Sequence, residues 1–529
     1  MSESRTKNVI RNTGAGIGVR LLTLLLNFVL KTVFIKVLGI QYTGVSSLFT
    51  DVLTILSFAE LGIGSAITYA LYKPVAENDE LQIIKLMNFY RKAYRLVAIT
   101  VFAVGFALAP FLGFFVKDVP DIKESITVIY VLYLVNTASS YLLIYKSAIL
   151  VAKQKKYVIS AIEGISSMLR LVIESILIVI YRQFILYMLV EILFTILQNF
   201  LIGIRADKEY QFEKLEKKAK LDNGEVRKIL TDVQALAMYQ ISGVVLAGTD
   251  SVVISAFLGT SLVGYISYYK LIVNQIARIL IQFFDAMNPS VGNMAVQGDS
   301  GKQYTLFKKT NFAIFWLLCI CCTGLVVCLN PLVEVWLGEE YVLPMSIVIV
   351  LTADFFVTNM IRIVAVFRTS NGLFVQGKYR PVIMAVINVV LSVVLVRPFG
   401  MLGVLLATVM SRLLTQVWFD PWLVYRNVFN KDKAKSGVWE YYGVYIGYVL
   451  TITVSAAISM FAADCVAELL PKANGMLALI ILAILCVVIS TVVVLVLWGR
   501  SEDCREVMAW AKSAGKTVMK KLSKNRETR

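Results

Sequence analysis

The chain contains no histidine at all. That absence excludes Ser-His-Asp and Cys-His catalytic groups and every histidine-ligated metal centre. It has no G-x4-G-K-[ST] run either, so it carries no phosphate-binding loop of the ATP-motor type. Gly14, Gly16 and Gly18 mimic a dinucleotide loop, but they lead into a charged apolar stretch rather than following a strand. Cysteine is sparse, seven in 529 residues, and Cys319, Cys321, Cys322 and Cys328 share one apolar run. There they read as small apolar filler rather than a redox pair, and with only Cys465 near the outer face no disulfide framework is expected. Charged residues are few, 16%, and no segment is polar and long enough to form a separate soluble domain.

What fills the chain instead is apolar sequence: 58% hydrophobic residues and a mean hydropathy of +0.74. About fourteen stretches approach the ~20 apolar residues that a helix needs to cross a bilayer. They run over 12–38, 44–71, 96–116, 125–150, 158–181, 184–204, 233–257, 262–289, 310–332, 345–367, 381–397, 401–425, 441–463 and 475–498. The expected fold is therefore an all-α polytopic membrane protein. The net charge of +17 does not point to nucleic acid, because the basic residues collect in the connectors on one side. With the N-terminus inside, the opposite side keeps only Lys117, Lys123, Arg182, Arg397 and Lys472. Both termini are thus expected in the cytoplasm. Arg20 and Lys31 interrupt the first stretch and no A-x-A site follows, so a cleavable signal is not expected.

The sequence also repeats itself. Leu38-Gly39 with Gly44 recurs 220 positions later as Leu258-Gly259 with Gly264, which aligns span 1 with span 7 and span 2 with span 8. Six spans per half make this a parallel repeat, an arrangement that in transporters sets the substrate site at the repeat interface. The expected organisation is a six-helix lobe over 1–204, a charged cytoplasmic linker over 205–232 and a second six-helix lobe over 233–425. Two additional helices follow over 426–498, then a basic cytoplasmic tail over 499–529. In that tail Val507, Ala511, Ala514, Val518 and Leu522 follow helical spacing while Lys512, Lys516 and Lys520 take another face, as in a helix lying on the membrane surface.

Charges inside spans cost ~2.5–3.5 kcal/mol each on insertion scales and mark pathways or cavities. Arg20, Thr23, Asn27 and Lys31 fall on one stripe of span 1, with no acid in that helix to neutralise the two cations. Lys270, Asn274, Arg278, Gln282 and Asp285 repeat the theme in span 8, and span 10 adds Asp354, Asn359 and Arg362. Span 5 differs: Arg170 lies four residues before Glu174 and suits a local ion pair, with Glu163 on the same stripe. Glu191 with Thr195 and Gln198, and Arg412 with Gln416 and Asp420, read the same way. The isolated acids Glu60 and Asp250 are candidates for carrying a coupling proton or cation, or for bonding a neighbouring helix.

Four stretches carry a family resemblance: LGIQYTGVSSLFTDVLTILSFAELGIGSAITYALYKPVAEND, GTDSVVISAFLGTSLVGYISYYKLIVNQI, WLGEEYVLP and NVVLSVVLVRPFGMLGVLLATVMS. From about Asn12 to Phe429 the chain resembles the bacterial lipid-linked oligosaccharide flippases and polysaccharide exporters. Their superfamily also holds the multidrug and toxic-compound extrusion proteins. The resemblance implies alternating-access movement of a polyprenyl-diphosphate-linked glycan across the bacterial cytoplasmic membrane, with glycosyltransferases and a glycan polymerase as partners. It implies no enzyme activity, no cofactor and no metal, with driving force from H⁺, Na⁺ or the membrane potential. A diphosphate must be desolvated in transit, and Arg or Lys is its natural complement. Arg20, Lys31, Lys270, Arg278 and Arg362 take that role, with Asn27 and Asn274 bonding head-group or sugar oxygens. A cation-coupled multidrug exporter would instead want an acid-dominated site, and an outer-face enzyme would want a large outer loop. A scaffold for glycan assembly would move no lipid on its own.

Overall fold

The computed structural model describes residues 22–509, apart from 24, 61–62, 118–119, 154, 210–218, 298–299, 374–375, 430 and 470–474. Arg20 and the tail beyond residue 509 lie outside the described residues. The described chain is all-helical. In order come α1 (22–38), α2 (Ile40–Leu56), α3 (Ile63–Glu77), α4 (Glu80–Leu108), α5 (Leu112–Phe115), α6 (Ile126–Ile144), α7 (Ser147–Ala152) and α8 (Lys156–Tyr181). Then follow α9 (Phe184–Glu209), α10 (Asn223–Leu258), α11 (Thr260–Gln297), α12 (Ser300–Leu337), α13 (Met345–Ser370), α14 (Arg380–Asn427), α15 (Lys431–Leu469) and α16 (Gly475–Trp498).

These elements trace the expected passes. α2 with α3, α4 with α5, and α6 with α7 each make one pass. α14 makes two, because Pro398 and Gly400 (φ 57°, ψ −137°) fold it back on itself. Asn388 accordingly donates to the Thr408 hydroxyl at 3.0 Å across that hairpin. The sum, among the described residues, is fourteen helical passes. Nine of the described helices are long and apolar enough to cross a membrane by themselves. The protein is a multi-pass membrane protein.

Local chemistry sets the ends. Asp79 caps α4 by accepting from Gln82 N at 3.0 Å, and Asp222 with Glu225 forms a reciprocal capping box at the start of α10. Glu225 also accepts from Gln82 Nε2 at 2.6 Å, tying the two helix starts together.

The chain divides into two compact units, Met1–Ser267 and Tyr268–Arg529. In the first unit the repeated glycines explain themselves. Gly39 (φ 95°) and Gly259 (φ 105°) break the chain between α1 and α2 and between α10 and α11, at backbone angles that disfavour any side chain. Five residues on, Gly44 of α2 lies against the Thr260 carbonyl, so closely that a Cβ there would overlap it. Reciprocally, a Cβ at Gly264 would sit 2.8 Å from the Ile40 carbonyl oxygen. Ile40 and Thr260 are themselves 220 positions apart, so the repeat meets itself across a local two-fold contact. Lipid tails offer helices no hydrophobic gain from packing on one another, so close backbone approach and polar bonds hold this seam. Ser251 donates to Asp51, Ser255 donates to Phe115 O at 2.5 Å, and Lys117 Nζ donates to Phe257 O at 2.7 Å. The last contact places a cation on the carbonyl end of α10, where the helix dipole favours it.

In the second unit α12 packs against α13, α15 and α16. Its aromatic core includes Phe315 stacked on Tyr448 at 3.7 Å and Trp498, which donates to Thr451 Oγ1 at 2.9 Å. Tyr269 donates to Asn330 Oδ1 and accepts from Leu343 N, both at 2.8 Å, so the WLGEEYVLP stretch is fastened to α11. Residues 502–509 form a further short helix whose Glu506 pairs with Lys309 at 3.2 Å and whose Asp503 lies 4.0 Å from Lys308. Burial raises the Asp503 carboxyl above its ordinary range, against the opposing pull of Lys308. All seven cysteines are free thiols; Cys319, Cys322, Cys486 and Cys504 are buried and Cys465 is exposed.

Candidate functional site

Two sets of charged residues emerge, one in each unit. The first gathers α1, α8 and α9. Arg170 of α8 faces Glu174 one turn on at 3.5 Å and Glu191 of α9 at 3.2 Å. Lys31 of α1 is half-buried, within the electrostatic field of Glu191, Glu174 and Arg170, with its ammonium 5.6 Å from the Phe34 ring. Two cations and two carboxylates therefore balance formally. Around them the rings of Phe34, Phe184 and Tyr187 pack in T-shaped and tilted pairs at 5.3–6.1 Å, with Tyr133 6.4 Å from Phe184. Such an aromatic wall excludes water and strengthens every charge–charge term inside it.

This arrangement changes how Lys31 is read. The stripe on α1 holds no acid, yet the neutralising acids come from α8 and α9, which single-helix spacing does not reveal. Asn27 spends one amide hydrogen on Thr23 O, 2.8 Å away in its own helix. Arg20 lies outside the described residues, so the structure places only Thr23, Asn27 and Lys31 of the stripe.

The balance gives a direct test. Lys31→Met should leave the carboxylates in excess and lower stability by about 2 kcal/mol, less than for a fully buried pair because Lys31 is only half-buried. Adding Glu191→Gln to that chain should restore most of the loss. Thermal midpoints of wild type, Lys31→Met, Glu191→Gln and the double variant in detergent measure it; an additive pair would mean that Lys31 and Glu191 do not interact.

The second set lies on α11 and α13. Asn274 and Arg278 are exposed and Lys270 is half-buried, four residues apart in succession along one face of α11. Arg278 makes no ion pair among the described residues. Arg362 of α13 approaches the same helix, its guanidinium 5.9 Å from the ring of the buried Phe284. Nearby on α13, Asp354 accepts from Arg412 Nε at 2.8 Å. Asp420 is instead held by Arg368 at 2.7 Å and Arg380 at 3.2 Å, so the expected grouping of Arg412 with Asp420 does not form. Helical spacing puts those two on one stripe, but Arg412 bonds Asp354 and Asp420 bonds Arg368, two separate points along α13.

The two isolated acids are both in the first unit. Asp250 is buried, 4% exposed, and engaged with its surroundings. Glu60 ends a 3-10 turn, Ser57–Glu60, that breaks the second pass between α2 and α3. Tyr94 donates to it at 2.9 Å.

Solved membrane transport proteins share this fold. A solved lipid II flippase, MurJ in its inward closed conformation, superposes with a TM-score of 0.64 at 15% identity, over 92% of this chain and 99% of that one. An inward-facing multidrug-resistance MATE transporter of the MOP superfamily gives 0.57 at 14% identity, over 76% and 93%. A Vibrio cholerae MATE transporter gives 0.53 at 13%, over 80% and 97%. At these identities the likeness establishes a shared fold. No protein-family model and no curated protein matches the chain.

Proposed function

We propose that the protein is a secondary transporter that flips a polyprenyl-diphosphate-linked oligosaccharide across the bacterial cytoplasmic membrane by alternating access, with both termini inside. The observation that carries this reading is the cationic face of α11, where exposed Arg278 and Asn274 follow Lys270 within a membrane pass. A charge left exposed at membrane depth is costly unless it meets water or a ligand. Guanidinium and ammonium groups match the oxygens of a diphosphate. Arg362 is a further proposed contact in the second unit, and in the first unit Lys31, Asn27 and Arg20 are proposed to meet the cargo, with Lys31 already partly neutralised by Glu174 and Glu191. Fold likeness to a lipid II flippase, over nearly the full length of both chains, supports the same class of cargo.

Purified protein in liposomes should move a fluorescent polyprenyl-diphosphate glycan between leaflets, and Lys270→Ala with Arg278→Ala should cut the rate at least tenfold. Efflux of organic cations with no lipid movement would favour a multidrug exporter, which the MATE likeness also accommodates. No movement of either by pure protein would favour a scaffold. The membrane potential adds a further expectation. Each negative charge carried outward gains about 2.3 kcal/mol per 100 mV with the interior negative. Flipping should therefore quicken as an inside-negative potential is imposed, and a flat response would remove the potential as a driving force.

A further inference from the structure

One face of the second leg of α14 is ordered like a phospholipid. Met410, Leu414, Trp418, Trp422 and Arg426 follow one another at four-residue intervals, so they lie on one slowly drifting stripe about 24 Å long. Every one of them is exposed. Aliphatic side chains come first, then two indoles, then a guanidinium. The upper part is fastened in place. Trp418 Nε1 donates to Leu414 O at 2.6 Å, and the Arg426 guanidinium stands 5.2 Å from the centroid of the Trp422 ring.

Two other segments close on the same end. Because α14 doubles back at Pro398 and Gly400, its start returns beside its finish, where Arg380 lies 3.2 Å from Asp420. The residues just ahead of that start flank the stripe. A Cβ at Gly377 would overlap the ring of Phe419, and that ring is 5.8 Å from the Trp422 ring. Lys378 and Tyr379 follow, both exposed, with the ammonium 4.9 Å from the Tyr379 ring. From α15, Tyr442 donates to Trp418 O and carries Trp439, 74% exposed, against its ring at 5.9 Å. The acids at this end are engaged elsewhere: Asp420 holds Arg368 and Arg380, and Glu440 lies 3.9 Å from Lys308. Lys378 and Arg426 make no ion pair among the described residues.

We propose that this face binds one anionic diacyl phospholipid, at a site separate from the cargo contacts on α11. The lipid phosphate accepts hydrogen bonds from the Arg426 guanidinium and the Lys378 ammonium. Its glycerol region rests on Trp422 and Trp418, whose rings suit the boundary between head groups and hydrocarbon. An acyl chain continues along Leu414 and Met410. Aromatic belts alone do not choose among lipids; two cations without a protein counter-charge do, because they favour a net negative head group over a zwitterionic one.

Native mass spectrometry of the full chain in detergent tests this. Added dioleoyl phosphatidylglycerol should give one tightly held lipid, and dioleoyl phosphatidylcholine none of comparable affinity. Lys378→Gln with Arg426→Gln should weaken that binding by about tenfold, and Trp422→Leu, which keeps both charges, by about threefold. Lys378→Arg with Arg426→Lys should retain it. So should Lys92→Gln with Arg95→Gln, which removes two exposed cations from α4 and leaves this face intact. Equal binding of the two lipids overturns the proposal. An equal loss in the α4 pair does so too, since the lipid would then answer only to net charge. Loss in the charge-conserving swap would show that the two cations do not act by charge. Displacement of the lipid by millimolar inorganic phosphate would make this a free-phosphate site and likewise remove the lipid assignment. Lys270 and Arg278 are untouched in every variant, so none of these outcomes reports on the cargo.

Discussion

Alanine at Gly44 or Gly264 is expected to lower the thermal midpoint, and valine at either position to abolish transport in inserted protein. Glycine to alanine inside a helix ordinarily stabilises by about 1 kcal/mol. Here the added carbon meets a peptide carbonyl of the facing segment rather than the movable end of a side chain. Backbone cannot step aside as a rotamer can, so overpacking of ~1–3 kcal/mol outweighs the propensity gain. The two sites also act on one contact. Once Gly44→Ala has forced α2 from Thr260, space opens at Gly264, and the second alanine should cost less than it does alone. Midpoints of wild type, both singles and the double close the cycle. Neutral singles, or strict additivity, would show that the glycines merely coincide in sequence.

The second large effect is expected at Asp420, which is fully buried and holds both Arg368 and Arg380, themselves 4% and 10% exposed. Asp420→Asn keeps the shape and removes the negative charge that both guanidinium groups share. Breaking a buried pair in this way costs about 3–5 kcal/mol. Replacing Arg368 with methionine in the same chain should return part of that loss, because one of the two cations that Asp420 holds is then gone. Equal midpoints for wild type and Asp420→Asn would mean that the arginines draw their compensation from elsewhere.

How much of this was legible beforehand follows from what one helix can and cannot report. Passes are written in runs of apolar residues, and even the turn at Arg397–Gly400 shows in its proline and glycine. The glycine repeat was visible as spacing, but its meaning was not: nothing in Leu38-Gly39 or Gly44 says that each copy lies on the other. Charged stripes were visible too, since helical periodicity places Lys31, Arg170 and Glu174 on faces. Periodicity does not name the helix opposite. That is why Lys31 looked unneutralised although Glu174 and Glu191 face it, and why Arg412 was grouped with Asp420 when Asp354 holds it. Glu60 stood out as a lone acid, whereas Tyr94, which donates to it, comes from α4 and could not be read from its own surroundings in the chain.

The uneven burial of the thiols has a practical outcome. Cys465 alone is exposed, so a maleimide should modify it first and Cys465→Ser should leave a nearly silent background. Against that background, cysteines placed at Asp51 and Ser251, which share a hydrogen bond across the glycine seam, would report by cross-linking whether it parts as the protein cycles.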